Sequence, residues 1–254
     1  MDVLACIKRV PETGAKIVLT DDHMGIDTTN LGFTMSPHEE CAIEEAVQQV
    51  EEHGGSATVL TLGPEEATEQ LRTGLAMKCD EATLLEGGDE EWGPRETAGA
   101  IADLVRESDT EFDLLLFGNE SADMANYQVG VRVARELDLP CVTGIKDLSV
   151  EDGTATAKRE ISGGEEVYDL ELPAVITVKE GINEPRYASM RAKMQARRQE
   201  VEQVTPERGE REGSFEKVRL EAPPEDDRDA EVLGEGPDAV PAVVEMLEED
   251  VEVL

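Results

Sequence analysis

The sequence has no run approaching the roughly 18 consecutive apolar residues of a membrane span, so none is expected. Its first residues, Met-Asp-Val-Leu-Ala-Cys-Ile-Lys-Arg, run straight into a strand-like segment. No apolar core followed by a cleavage site precedes it, so no secretory leader is expected. Cysteine is scarce and scattered. Cys6, Cys41, Cys79 and Cys141 form no Cys-x-x-Cys, which argues against a zinc site and against a disulfide-stapled secreted domain and makes a reduced, cytoplasmic setting the expectation. Neither G-x-G-x-x-G nor G-x-x-x-x-G-K-[ST] occurs, so neither ordinary dinucleotide nor P-loop chemistry is indicated. Positive charge is the largest shortage: 23 Lys and Arg face 59 Asp and Glu, for a net charge of −36. Such a surface repels nucleic acid and anionic membranes, excluding both as default partners. Its self-repulsion destabilises the fold unless salt screens it, so the charge reads as adaptation to a salt-rich cytoplasm, with an acidic mesophilic protein as the alternative.

The hydrophobic fraction, 39% of 254 residues, is enough for a packed core and predicts one large domain, or one domain with an appended arm. Up to about residue 145, apolar runs alternate with helical periodicity, the pattern of parallel βαβ units. Val3-Leu-Ala-Cys-Ile7, Ala57-Thr-Val-Leu-Thr-Leu62, Ala82-Thr-Leu-Leu85 and Asp113-Leu-Leu-Leu-Phe117 read as buried strands, and Lys16-Ile-Val-Leu-Thr20 as a short edge strand. Pro37 opens a helix with Ile43, Ala46, Val47 and Val50 on one face, which Gly54-Gly55 ends. Ala67, Leu71 and Leu75 mark a second helix and Ala98, Ile101, Ala102 and Val105 a third, while a fourth is expected over 123–136. The predicted fold is α/β: a doubly wound, mostly parallel sheet.

Sheets of this kind bind ligands beyond the carboxyl ends of their strands, where the strand order reverses. Three strand-end loops fit: Lys8-Arg9-Val10-Pro11, Leu62-Gly63-Pro64 and Gly118-Asn-Glu-Ser-Ala-Asp-Met-Ala-Asn126. The third is the most polar and precedes a helix whose first amides suit a phosphate. These residues alone leave a nucleotide site and a plain helix-capping loop equally open.

After residue 140 the pattern changes. Cys141-Val-Thr-Gly-Ile145, Thr154-Ala-Thr-Ala-Lys158, Val167-Tyr-Asp-Leu-Glu-Leu172 and Ala174-Val-Ile-Thr-Val178 follow one another with no helix between, and read as β-hairpins extending the same sheet. The charge then inverts. Residues 185–199 contain no acid but carry Arg186, Arg191, Lys193, Arg197 and Arg198 beside Met190 and Met194. A basic helix face is usually just solvated, but in so acidic a chain the island reads as a contact surface for another protein. Beyond Gln199 no buried-strand pattern appears before Ala239-Val-Pro-Ala-Val-Val-Glu-Met-Leu247, a short amphipathic helix through Val243, Met246 and Leu247. That tail is either disordered or wrapped around a partner.

The run Ala157-Lys-Arg-Glu-Ile-Ser-Gly-Gly-Glu-Glu-Val-Tyr-Asp-Leu-Glu-Leu-Pro-Ala-Val-Ile-Thr-Val178 and Asn183-Glu-Pro-Arg-Tyr-Ala188 closely resemble the beta subunit of electron transfer flavoproteins. The likeness extends to Lys8-Arg9-Val10, Met35-Ser-Pro37, Ala42-Ile-Glu-Glu-Ala46 and Arg72-Thr-Gly-Leu-Ala-Met77, and covers roughly residues 1–200. The resemblance implies a partner alpha subunit carrying most of an FAD site, electron delivery from acyl-CoA and related dehydrogenases to a quinone oxidoreductase, and an AMP buried in the beta subunit. It puts the nucleotide loops at Cys6 and Lys8; at Ser36, Pro37, His38 and Glu39; at Leu62; and at Gly118, Asn119, Glu120, Ser121, Ala122, Asp123, Asn126, Gln128 and Val129. It makes Tyr187, Met190, Arg191, Lys193, Arg197 and Arg198 the partner-recognition segment, with Met190 where the family usually anchors on leucine. It divides the chain into a nucleotide-binding domain, 1–185, and a recognition segment with a C-terminal arm packed on the alpha subunit, 186–254.

Two departures bear on this reading. Gln128-Val129-Gly130 looks more like members that hold a second FAD and split electron pairs, so AMP and a second FAD both stay open. His38 stands where some members place an aromatic near the flavin, and reads as a polar loop residue rather than an acid or base. The flavin supplies the chemistry, so no residue of this chain need be catalytic. The alternatives are an electron-bifurcating subunit and, more remotely, a stand-alone adenine-nucleotide-binding regulatory module, in which the recognition segment and arm have no purpose.

Overall fold

The computed structural model describes residues 1–12, 14–88, 91–209, 217–223 and 232–249. The first strand, β1 (Asp2–Ile7), leads into a two-residue ladder between β2 (Val10–Pro11) and β3 (Phe33–Thr34), then α1 (Pro37–His53). There follow β4 (Ser56–Gly63), α2 (Thr68–Ala76), β5 (Glu81–Glu86), α3 (Pro94–Glu107), β6 (Leu114–Gly118) and α4 (Val129–Leu137). The later part has β7 (Cys141–Ile145), β8 (Asp147–Glu151), β9 (Thr154–Ile161), β10 (Gly164–Glu171), β11 (Ala174–Val178), α5 (Met190–Ala196), β12 (Glu202–Val204) and α6 (Val240–Glu249). Among the described residues no helix is long and apolar enough to cross a membrane.

Among the described residues the central sheet has seven strands in the order β12-β5-β4-β1-β6-β11-β7, and every neighbouring pair is parallel. Both faces are covered, as a parallel sheet requires, so its strands alternate between two cores rather than between core and water. Val3, Ala5 and Ile7 of β1 pack with α1 and α2, whereas Leu4 and Cys6 face α3 and α4. β6 divides likewise, with Leu114 and Leu116 on the first face and Leu115 and Phe117 on the second. From β1 the chain winds outward through β4 to β5, then returns to lay β6 on the other side of β1. The order therefore reverses between β1 and β6, opening a crevice at their carboxyl ends. The doubly wound α/β architecture is the one the sequence predicts.

Four local expectations differ. Residues 16–20 form no strand: only a single antiparallel bridge, Leu19 to Ile26, is present, and exposed Ile17 and Val18 have nothing to bury against. The fourth helix starts at Val129 rather than 123, because Ala125 (φ 45°) and Tyr127 (φ 55°) hold left-handed backbone that no right-handed helix admits. The residues of 141–178 do include hairpins, but β8, β9 and β10 form a separate antiparallel sheet, while β7 and β11 are parallel members of the central one. Parallel neighbours need a long connection, and here the small sheet takes the place of the usual crossover helix. Finally, residues beyond Gln199 do contribute a strand: β12 pairs with β5 at the sheet margin. Farther along, Arg208 lies 5.2 Å from the Trp92 ring, Lys217 pairs with Glu91, and the Leu220 amide donates to the His23 carbonyl at 2.7 Å. The expected short helix is α6, none of whose residues is buried. Much of the acidic arm falls outside the described residues.

Candidate functional site

The crevice is built where β1 and β6 end. Ser36 caps α1, and Glu39, three residues on, accepts the Ser36 amide at 2.8 Å. Gly118 closes β6 directly beneath them. A Cβ there would lie 2.7 Å from Glu39 Cγ and 3.1 Å from the Glu39 amide, so only glycine lets the sheet approach the helix this closely. Asn119 is fixed by its neighbours: its amide donates to Val178 O at 2.9 Å, and its Oδ1 accepts from Thr177 Oγ1 at 2.9 Å. The loop that follows is tied to the rest of the crevice at three points. Ser36 Oγ donates to Glu120 O at 3.3 Å, Lys8 Nζ reaches Asp123 Oδ2 at 2.6 Å, and His38 Nε2 lies 3.3 Å from Glu120 Oε1. His38 Nδ1 accepts the Glu180 amide at 2.7 Å, so the ring proton sits on Nε2 and points at Glu120.

Glu39 is almost fully buried, and burial pushes its carboxyl up to about 7, against an ordinary 4.5, despite the opposing bonds from the Ser36 and Lys8 amides. The N-terminus of α4 is bare. Gln128 occupies the cap position, but its Oε1 is engaged by Arg132 at 3.0 and 2.8 Å, and its side chain makes no cap bond. The first turn of α4 has no acidic residue, and Gly130 seats it against Thr177 and Phe117. Uncapped amides at a helix start, close to the strand ends, fit the phosphate of a nucleotide, and at the mouth the Lys8 ammonium offsets Asp123 while His38 Nε2 faces Glu120.

Of the expected nucleotide residues, Lys8, Ser36, His38, Glu39, Gly118, Asn119, Glu120 and Asp123 are joined by these contacts, and Gln128 and Val129 open α4, with the Val129 side chain packed against the core on the α3 and α4 side. The Cys6 side chain does not face the crevice; it is core on the α3 and α4 side, where burial pushes its thiol up. Leu62 packs into the same core at the end of β4. Pro37 is the exposed first residue of α1. Ser121 contributes its carbonyl to a turn with the Ala125 amide, and Ala122 and Asn126 are exposed.

Sequence reasoning missed a second part of the site. A cleft of about 290 Å³ is lined by His38, Glu120, Gly144, Lys146, Glu160, Lys179 and Glu180. Four of these follow or end β7 and β11; with 141–178 read as hairpins, nothing pointed to those strand ends. Tyr127 was missed too. Its ring is 56% exposed on left-handed backbone, and its hydroxyl bonds Glu120.

The expected recognition segment lies elsewhere on the surface. Met190 is 72% and Tyr187 87% exposed, with Lys193 Nζ 5.2 Å from the Tyr187 ring centroid. Arg191, Arg197 and Arg198 are exposed and form no ion pair among the described residues. Arg186, read as part of the basic island, instead turns inward. Its Nε and Nη2 fork onto Glu44 at 2.8 and 3.0 Å, and its Nη1 and Nη2 onto Glu51 at 2.8 and 3.0 Å.

This geometry defines a class: open, doubly wound α/β domains whose ligand crevice sits at the switch point of the sheet. Comparison with known proteins narrows it. Residues 24–208 match the electron transfer flavoprotein domain. The chain is 37% identical over 204 residues to the electron transfer flavoprotein subunit beta of Bacillus subtilis, covering 80% of this chain and 79% of that one. It is 34% identical over 208 residues to the human electron transfer flavoprotein subunit beta, covering 80% and 81%. It is also 34% identical over 207 residues to the caffeyl-CoA reductase-Etf complex subunit CarD of Acetobacterium woodii, covering 79% and 77%. The chain belongs to the electron transfer flavoprotein family, and its place there supports a role in electron transfer.

Proposed function

We propose that this chain is the beta subunit of a heterodimeric electron transfer flavoprotein, which takes electrons from acyl-CoA-type dehydrogenases and passes them to a quinone oxidoreductase. FAD, shared with an alpha subunit, supplies one- and two-electron chemistry when bound. The chain's own residues bind and orient. Lys8, Ser36, Asn119 and the first amides of α4 would hold an AMP as a structural element, while Tyr187, Met190 and their basic neighbours would meet the partner proteins. The observation that carries the nucleotide part is the uncapped start of α4 beside the ends of β6 and β11, next to the β1–β6 switch point. In the second reading the same crevice holds a second FAD and the dimer splits electron pairs. Gln128-Val129-Gly130 and the likeness to a subunit of the caffeyl-CoA reductase-Etf complex favour it.

The deciding experiment is to purify the chain with its alpha subunit in high salt, denature it and quantify the released nucleotides. One FAD and one AMP per dimer support the carrier. Two FAD and no AMP overturn it in favour of the bifurcating subunit.

The net charge of −36 belongs in the same proposal, as adaptation to a salt-rich cytoplasm. Thermal melting should show a midpoint that rises with salt; one that falls would sink the halophilic reading.

A further inference from the structure

Arg186 and its partners serve neither the nucleotide crevice nor the apolar cores, yet Arg186, Lys78, Glu44 and Glu51 form one connected ionic cluster along α1. Glu44 and Glu51 lie seven residues apart on α1, two turns along one face, and Arg186 bridges them with both edges of its guanidinium. The Arg186 amide adds a third bond to Glu44, at 3.0 Å, and Lys78 reaches Glu51 at 2.6 Å. The Glu44 side chain is 4% exposed. Three residues earlier, Asn183 Nδ2 donates to Cys41 O at 3.1 Å and to Glu45 Oε2 at 3.0 Å. Downstream, Ala188 and Ala196 are buried in the same core, which brings α5 against α2. Between these fastenings the most exposed apolar side chains of the segment, Tyr187, Met190 and Met194, point into solvent.

A buried ion cluster rarely stabilises more than apolar packing of the same shape would, but it does fix one arrangement. A seven-residue helix such as α5 is too short to hold itself. A loose loop carrying three apolar side chains would have to be ordered at every encounter with a partner.

We propose that Glu44 and Glu51, acting through Arg186, are positioning residues for protein recognition, holding residues 183–188 on α1 so that Tyr187, Met190 and Met194 are presented in one preset arrangement. This rests on the electron-carrier reading above and adds to it a reason for the ionic cluster.

The test uses the complete heterodimer as wild type, Glu44→Gln, Glu51→Gln and Met190→Ala. An acyl-CoA dehydrogenase with its acyl-CoA substrate reduces increasing concentrations of each, alongside FAD content and hydrogen exchange of amides 187–199. Glu44→Gln should raise the KM for the flavoprotein about fivefold, leave kcat and FAD content unchanged, and speed exchange in that stretch. Glu51→Gln, at a half-exposed residue, should shift KM in the same direction by less, and it carries the test if Glu44→Gln does not fold. An unchanged KM despite faster exchange overturns the proposal. So does a fall in kcat or FAD content that accompanies the KM change, since that marks a merely structural role. If the wild-type dimer binds FAD but accepts no electrons from the dehydrogenase, the electron-carrier reading itself fails, and the positioning role goes with it.

Discussion

Helix α1 meets two environments along its length. Its first turn carries Glu39 under the crevice between β1 and β6, and its later turns carry Glu44 and Glu51 against residues 183–188. All three are glutamates, and Glu39 and Glu44 are similarly buried, at 5% and 3% exposure. Yet Glu39 is pushed up to about 7 while Glu44 is held below the ordinary carboxylate value. Burial acts on both in the same upward direction. At Glu44 the Arg186 fork, the Gln48 amide group and the Arg186 backbone outweigh it; at Glu39 two backbone amides and Lys8 do not. Glu51, bonded by Arg186 and Lys78, is lowered to about 2. Burial sets how much is at stake, and the partner decides which charge state is kept. One end of the helix is fastened; the other, at the crevice, changes charge near neutrality.

The largest effect expected from breaking this contrast is at Arg186. Arg186→Ala strands Glu44 in the interior without a counter-ion and should cost about 3–5 kcal/mol in a denaturant titration. In the wild type this stabilisation comes from carboxyls with lowered pKa values. It is therefore present above about pH 4.5 and lost as the pH falls below that, at Glu51 toward about 2. Glu39 runs the other way. Its raised carboxyl gives stability that is full below pH 4.5 and is lost as the pH climbs through 7, a difference on the order of 3 kcal/mol. Glu39→Gln should flatten that dependence and leave the protein more stable than wild type at pH 8; identical stability–pH curves would refute the assignment.

Met190→Ala separates presentation from anchoring. It should slow electron acceptance roughly tenfold, about 1–2 kcal/mol of partner binding, with flavin content unchanged. An unaltered rate removes Met190 as the anchor. The smallest effect is at Lys8, whose side chain is 43% exposed. Lys8→Ala should cost only about 0.2–1 kcal/mol of stability while weakening nucleotide retention, and a larger loss would mean the Asp123 tie is more than a surface ion pair.

The part of this protein that follows from local pattern was legible in the sequence. β1, β4, β5 and β6 are buried on both sides and so read as continuous apolar runs, and α1 shows its Pro37 start, its periodic face and its Gly54 stop. The candidate crevice was partly legible because strand ends in an α/β sheet are where ligands bind: Lys8 and 118–126 lie at such ends, whereas Ser36, Gln128 and Val129 were reached only through the family resemblance. What failed depended on long-range pairing. Nothing local distinguishes β7 and β11, which join the main sheet, from β8, β9 and β10, which do not, so the cleft beside Lys146 and Lys179 went unseen. Arg186 failed for a related reason: composition groups it with its basic neighbours, and only the fold reveals Glu44 and Glu51 as its partners. The left-handed Tyr127 carries no compositional signal, since glycine, which favours such a backbone, is absent there.

β12 has a consequence for solubility. An unpaired strand at the margin of a sheet offers its amides and carbonyls to any extended chain nearby. Without β12 that margin would be Thr83-Leu-Leu85, an apolar stretch well suited to stacking on another copy of itself. Glu202, Gln203 and Val204 satisfy that row from within the molecule and place a carboxylate beside it, where Glu202 accepts the Thr83 hydroxyl at 3.2 Å. A chain cut short before Glu202 would keep its crevice and its presented methionines but bare a sticky seam, and it should self-associate in the high salt that screens its negative charge.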